Sequence, residues 1–525
     1  MTPIRYLAAI ALAAALVPAA ADAQAPRRGG TLTFAISGEP PNYDCHANSS
    51  FAAIQWLAPH YSTLLKFDTA NYPKIIPDVA QSYEISQDRL TYTFKLKPNV
   101  VFHDGAKLTS ADVKATYDRI RNPPKGVVSL RQASFEDIET IETPDPQTVV
   151  FRLSKPDASM LANFASPWNC LYSAAKLAQD PNFPRTNILG TGPFVFVEQV
   201  KGSHWIGKRF ENYFEKGKPY LDGFRAVLMG GAPMINALQA GQIMAEFRGF
   251  SPAERDRLVQ ALGDKVVVQE SGWTCKLDLL FNTEKKPFDD ARVRRALSMA
   301  IDRWGGAKNL QRIAFVREVG GVLRPGYELA AKKEELVKYP GFSEDIKASR
   351  AEAKRLLKEA GAEDLKLTLL NRTVAMPYTP TALFVIDQWR QIGVTTEHQQ
   401  LETAPYQASL RSGNYEAALN FACDFMDEPN LQLLNYLSKD VSSLNYGNYT
   451  DRKLDELYEK QKRSVDQAER AKLVRAFETE LFNQSYTAPI IWWHRIIVHD
   501  KRLKGWHVTA SHYVGQDLAD VWIDQ

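Results

Sequence analysis

The stretch from Cys275 to Arg303, CKLDLLFNTEKKPFDDARVRRALSMAIDR, constrains the fold more than any other segment. Leu277, Leu279 and Phe281 alternate with polar or solvent-tolerant neighbours at period two, the pattern of a strand. Asn282 and Pro287 then mark a turn. Asp289 or Asp290 can cap a following helix on which Val293, Ala296, Leu297, Ala300 and Ile301 form one apolar face, leaving the arginines to the other. None of these residues carries catalytic chemistry.

Strands and helices alternate along the rest of the chain, without repeats or long linkers. Thr31 to Ile36 and Leu90 to Leu96 each point one apolar set to one side, as half-buried strands do. In FHDGAKLTSADVKATYDRI, His103-Asp104-Gly105 reads as a turn, Thr109 and Asp112 fit a capping arrangement, and Val113, Tyr117 and Ile120 line a helix. Gly190-Thr191-Gly192-Pro193 breaks the chain before an extended segment from Phe194. Met234 to Met244, Arg350 to Ala360, Tyr378 to Ile392 and Leu454 to Leu481 read as helices, and Gly361 supplies a C-terminal stop.

At the N-terminus, Arg5, the apolar run Leu7 to Val17 and Ala21-Asp22-Ala23 form a signal peptide over residues 1–23. Pro18 and Asp22 cut the run below the ~18 apolar residues that a membrane anchor needs. With no cysteine after the cleavage site until Cys45, the mature chain is expected to be a soluble periplasmic protein without a lipid anchor. The 525 residues are 45% hydrophobic and 24% charged, enough for two or three globular domains. The 64 basic and 61 acidic residues nearly cancel, so neither nucleic acid nor an anionic membrane is a partner that charge suggests. Cys45, Cys170, Cys275 and Cys423 allow three full pairings in an oxidising compartment, and their spacing makes no redox or zinc motif.

No HExxH, GxSxG or metal-ligand spacing occurs, so no catalytic residue, metal or cofactor is assigned. Gly202-Ser-His-Trp-Ile-Gly207-Lys208 has the spacing of a phosphate-binding loop. However, Arg209 stands where the magnesium-binding hydroxyl belongs, and Trp205 where backbone must wrap phosphate. A secreted hydrolase whose carboxylates only the fold would assemble is left open by this absence.

YSTLLKFD, IPDVAQSYEISQDRLTYTFKLKPNVVFHDGAKLTSADV, GTGPFVF, ENYFEKGKPYLDGF, PFDDARVRRALSMAIDR, QWRQIGV and FACDFMDEP follow one another in the order found in a known family. The chain resembles the periplasmic dipeptide- and oligopeptide-binding proteins of ABC importers, the extracellular solute-binding proteins of family 5. The resemblance implies an α/β, two-lobe periplasmic binding protein fold (type II, cluster C), with an extra subdomain in lobe I and a hinged ligand cleft. Lobe I would comprise residues 24–272 and 493–525, and lobe II residues 273–492. It also implies a monomer that closes on a small solute, a peptide by default, and then docks on the permease subunits of an ABC importer. The family also holds receptors for nickel chelates, opines and oligosaccharides.

Site residues follow from the same resemblance. Asp424 matches the aspartate that binds a peptide's α-ammonium group, since a buried cation needs a charged partner. Asp427 is the alternative. Arg372 is placed where some dipeptide binders hold the terminal carboxylate, for which a guanidinium fork is suited. It reads equally as a surface or structural arginine. Trp273, Trp493 and Trp168 divide between cleft lining and buried packing, as does Trp492. A nickel or haem receptor would call on His494 first and His46 next. The resemblance pairs Cys275 with Cys423 beside the cleft, which leaves Cys45 and Cys170 for each other.

Overall fold

A computed structural model describes residues 25–36, 38–374 and 376–524. The expected signal peptide lies outside the described residues. Three sheets organise the chain. Thr31–Ile36 is an inner strand of a five-stranded sheet, paired in parallel with the central strand Gly223–Leu228 on one side and with the edge strand Ala245–Glu246 on the other. Ala80–Ile85, Thr91–Leu96, Thr148–Leu153 and Ile138–Asp145 form a four-stranded antiparallel sheet. The largest sheet runs Val316–Glu318, Thr487–Asp500, Val266–Phe281, Ala417–Cys423, Lys366–Arg372, Thr395–Leu401.

Each sheet has its own apolar core. Leu277, Leu279 and Phe281 are fully buried in a core drawn from residues between Trp273 and Trp493. Phe94, Tyr117, Phe151 and Phe164 stack edge to face in a second core, and Trp56, Trp205 and Phe224 belong to a third. The polar residues alternating with Leu277 and Leu279 are not solvated, however. Lys276 donates to the Val322 carbonyl at 2.7 Å and Asp278 accepts from the Tyr436 hydroxyl at 2.8 Å, both side chains buried. Covered on both faces, the strand keeps its period because buried polar groups survive only when they are paired.

The helix after it starts where expected, with Asp290 accepting from the Arg292 amide at 2.8 Å and Ala291–Met299 helical. Its arginines do not all face solvent. Arg294 is buried and donates to the carbonyls of Phe288 and Gln484 at 2.7 and 2.8 Å. Arg303, also buried, donates to Pro489 at 2.7 Å from the start of a second helix, Arg303–Ile313. The long helix expected over Leu454 to Leu481 is two helices, Arg452–Arg463 and Gln467–Gln484. Asp466 caps the second by accepting from Glu469, a local bond that competes with helix continuation. The segment Met234 to Met244 is helical only as Gly231–Gln239, since Ala245–Glu246 leaves to pair with Phe34 and Ala35. The near-phosphate loop is the strand His204–Arg209, with Trp205 fully buried.

Two disulfides close long loops: Cys45–Cys170 over 125 residues and Cys275–Cys423 over 148. These are the pairs implied by the family resemblance. Distant parts of the chain also meet along a polar seam between the four-stranded sheet and the helices after Pro429. Lys462 and Arg463 share the Asp137 carboxylate at 3.0 and 2.5 Å, and Lys462 also reaches Glu136 at 2.7 Å. Asn430 donates to Ser159 and Asp157 at 2.9 and 3.2 Å, and the Ala158 amide donates to the Lys462 carbonyl at 3.0 Å. Behind them Arg470 pairs with Glu428, both nearly inaccessible.

Candidate functional site

The site is built where the long strands cross between the cores. Val266–Phe281 and Thr487–Asp500 pair antiparallel as far as Gly272↔His494, lose register between Gly272 and Lys276, and resume at Lys276↔Trp492. On its other edge the first strand pairs with Ala417–Cys423, and Cys275↔Cys423 is the last rung. The disulfide therefore fixes the point at which the chain leaves the sheet, and the next residue is Asp424. Thr274 clamps its backbone, accepting from the Asp424 amide at 3.1 Å and donating Oγ1 to its carbonyl at 2.7 Å.

The Asp424 side chain has no such partner. Its Oδ2 is buried and makes no hydrogen bond among the described residues. Burial pushes the carboxyl up to about 7, against the attraction of Lys276 and with the repulsion of Asp427. Asp427, the alternative three residues on, is fully engaged. Arg324 donates Nε to both of its oxygens at 2.9 and 3.1 Å and Nη2 at 2.8 Å, while the Asp427 amide donates to the Tyr72 hydroxyl. Of the two acids, only Asp424 is left to bind something else.

Arg372 ends the parallel neighbour of that strand, Lys366–Arg372. Its Nη1 donates to the Tyr378 hydroxyl at 3.0 Å and Nη2 to Thr403 Oγ1 at 2.8 Å, and Nε is buried without a partner among the described residues. The guanidinium lies over the rings of Tyr378 and Phe421 at 4.9 and 5.0 Å, a cation–π placement. No ion pair joins it to a carboxylate among the described residues. Phe421 precedes Asp424 by three residues, so acid and guanidinium stand roughly 10 Å apart along the strand, the reach of two or three extended residues.

The tryptophans are buried, and they cluster. Trp273 and Trp493 meet edge to face at 5.3 Å, with Tyr378 6.0 Å from Trp493. Trp273 Nε1 donates to His512 Nδ1 at 2.7 Å, whereas Trp493 Nε1 has no partner among the described residues. Trp168 lies 5.8 Å from Tyr513, whose ring is 3.9 Å from that of His512, and the Arg131 guanidinium lies over the Trp168 ring at 4.7 Å. Trp492 turns its ring to the Lys276 ammonium at 4.9 Å.

His494 is not part of this group. It points to a separate groove, where Nε2 is 2.9 Å from Glu270 and 3.1 Å from Arg317. Alternation along a strand sends it away from Trp493. His46 is wholly buried between Arg119 and the Cys170 carbonyl.

Sequence reasoning missed four residues of this neighbourhood: Lys276, Arg248, His512 and Tyr513. Burial pushes the Tyr513 hydroxyl up to about 12, with Asp424 raising it further and Arg248 and Arg131 opposing. No spacing in the sequence marks these residues: Lys276 is one polar position in a strand, and Arg248, His512 and Tyr513 lie outside the strands, brought in from parts of the chain distant in sequence.

Residues 74–443, well over half of the chain, match the family described as bacterial extracellular solute-binding proteins, family 5 middle. A di/tripeptide-binding protein of Pseudomonas aeruginosa is 27% identical over 96% of each chain. Among solved structures, the periplasmic binding protein AgaA of A. tumefaciens R10, in complex with agropinic acid, superposes with a TM-score of 0.78 at 26% identity, covering 94% of this chain and 99% of that one. The Helicobacter pylori periplasmic binding protein DppA, in complex with the peptide STSA, shares the fold at TM-score 0.80 and 24% identity, with coverages of 95% and 99%. The family and these relatives are binding proteins rather than enzymes.

Proposed function

Because this chain belongs to the bacterial extracellular solute-binding proteins of family 5, we propose that it captures a short peptide in the periplasm between two lobes. The loaded protein then delivers the peptide to the permease of an ABC importer. Lobe I is assigned to residues 24–272 and 493–525 and lobe II to 273–492. The loss of register after Gly272 and the separate core between Trp273 and Trp493 support that division. Export by cleavage of residues 1–23 and monomeric action belong to the same reading.

One observation carries the ligand class: a buried, unpartnered carboxyl at Asp424 in the same sheet end as an arginine without a carboxylate partner. An α-ammonium group placed on Asp424 supplies the charge that this oxygen lacks, and a terminal carboxylate placed on Arg372 meets the orphaned Nε. Trp273 and Trp493 would form the wall beside them, with Trp168 further off behind Tyr513. An opine, which also joins an amine to carboxylates, is the second reading, favoured by the A. tumefaciens relative. A nickel chelate finds less support, since His46 and His494 are already bonded within the protein.

Native mass spectrometry of the purified protein tests the proposal. The expected result is a bound mass that fragments as a peptide of two or three residues. Adding that peptide to stripped protein should then stabilise it by RT ln(1 + [L]/Kd), about 2.7 kcal/mol at a hundredfold excess over Kd. A bound sugar, or hydrolysis of the added peptide, would overturn it.

A further inference from the structure

A second cavity, whose lining does not include Asp424, holds about 120 Å³, room for about four water molecules. Its wall comes from three segments, Ala58 to Asp78, Ala165 to Cys170 and Gly505 to Val521, all within the residues assigned to lobe I. Ser62 and Trp506 in this wall are 3% and 5% exposed, and neither Ser62 Oγ nor Trp506 Nε1 makes a hydrogen bond among the described residues. Asp78 Oδ1, equally buried, makes none either, and its ion-pair partner is Lys66 at 3.5 Å. Asp517 accepts from the Ala519 amide at 3.2 Å and stands 3.8 Å from Lys66, with 33% of its side chain uncovered.

Charge points the same way. Lys66 is shared among Asp78, Asp517 and, at 3.1 Å, Glu215, while Lys218 is shared between Glu215 and Asp520 at 2.9 and 2.6 Å. Two ammonium groups thus serve four carboxylates. Lys97 lies over the Phe214 ring at 4.8 Å and forms no ion pair with them among the described residues. An excess of enclosed carboxylate calls for a cation. Among the described residues no group of three or more His, Cys, Asp or Glu could hold a metal ion, and the rings of Tyr61, Phe67, Trp506 and Tyr513 in the wall suit an organic cation. Water would satisfy the orphaned donors but brings no charge. The Trp506 N–H needs an acceptor as well, and a ligand carboxylate would face an acidic wall, so a neutral oxygen fits better.

We infer that this cavity is a second binding site, which takes a small amino alcohol, with the ammonium held by Asp78 and Asp517 and the hydroxyl by Trp506 Nε1 and Ser62 Oγ. The inference stands independently of the reading of Asp424 and Arg372 as a peptide site. Charge-assisted hydrogen bonds to two carboxylates discriminate an ammonium from a hydroxyl of the same size.

Titration calorimetry with ethanolamine tests this on the wild-type protein, on Asp517→Asn and on Asp424→Ala. Ethylene glycol and propylamine, of the same size, serve as the probes that lack the charge and the second oxygen. Wild type should bind ethanolamine saturably, propylamine about threefold or more weakly, and ethylene glycol not at all. Asp517→Asn should weaken ethanolamine at least about tenfold and keep the melting temperature, since the amide oxygen of asparagine still accepts from Ala519. Asp424→Ala should bind ethanolamine as wild type does. Absence of ethanolamine binding by wild type, or glycol or propylamine bound equally well, overturns the site on the unaltered protein, whatever the variants do. Undiminished affinity in Asp517→Asn overturns it too, and loss of binding in Asp424→Ala would move the amine to the peptide site and overturn the second one.

Discussion

Along the seam from Asp137 to Arg470, buried charges meet complementary partners, whereas at the sheet end from Arg372 to Asp424 they do not. Both regions join parts of the chain that are distant in sequence, and both exclude water from ionisable groups. The seam leaves no side-chain donor or acceptor orphaned among its residues, while Asp424 Oδ2, Arg372 Nε and Trp493 Nε1 are all orphans. An unsatisfied buried polar group costs about 1–3 kcal/mol. A chain able to complete the seam and yet carrying that cost at one sheet end holds groups whose partners come from outside.

Substitutions should therefore act on different observables in the two regions. Arg470→Ala leaves Glu428 charged and buried, for a loss of about 3–5 kcal/mol in denaturant unfolding. Retention of full stability would erase the distinction. Asp424→Ala should do the reverse, weakening peptide binding by about 2–5 kcal/mol, roughly thirty-fold to several-thousand-fold, while ligand-free stability holds or rises. Asp427→Ala serves as the control three residues away. By stranding Arg324 it should lower stability, so equal behaviour of the two variants would contradict their separate assignments.

The pH dependence sharpens the same contrast. With its carboxyl raised from 3.8 to about 7, Asp424 penalises the ligand-free fold once ionised. That penalty is absent below about pH 4, grows as pH rises and is complete above about 7. A bound ammonium reverses it, so affinity should fall as pH drops below about 7, by at most tenfold per unit, with proton release on binding. Asp424→Asn should flatten the profile. Calorimetry in buffers of different ionisation enthalpy reads both effects. In the seam, Lys462→Ala with Arg463→Ala strips the buried Asp137 carboxylate of both its cationic partners, which should lower stability in denaturant unfolding and weaken the closure that the seam holds. Small-angle scattering should show ligand-induced compaction reduced in that double variant.

Much of the fold was legible in local pattern. The cap at Asp290, the capping box of Thr109 and Asp112, and the stop at Gly361 are short-range chemistry, and each appears where the sequence places it. Periodicity failed where tertiary contacts override it. Arg294 and Arg303 look like surface residues but spend their donors on buried carbonyls, and the Ser464 to Asp466 break is hidden because apolar spacing continues across it. Asp424 and Arg372 came from family resemblance, and neither stands out by composition. The sequence could not separate Asp424 from Asp427, since that choice depends on Arg324, 103 residues away from the latter. Arg248 and Tyr513 were invisible for the same reason.

The charge of the ligand is the central claim, and one titration addresses it directly. A bound peptide and its N-acetylated form, each titrated into wild type and Asp424→Ala, should give tight binding only for the free amine on wild type. The acetylated peptide should bind poorly to both proteins. Equal affinity of wild type for the two peptides would remove the ammonium from Asp424 and contradict the account.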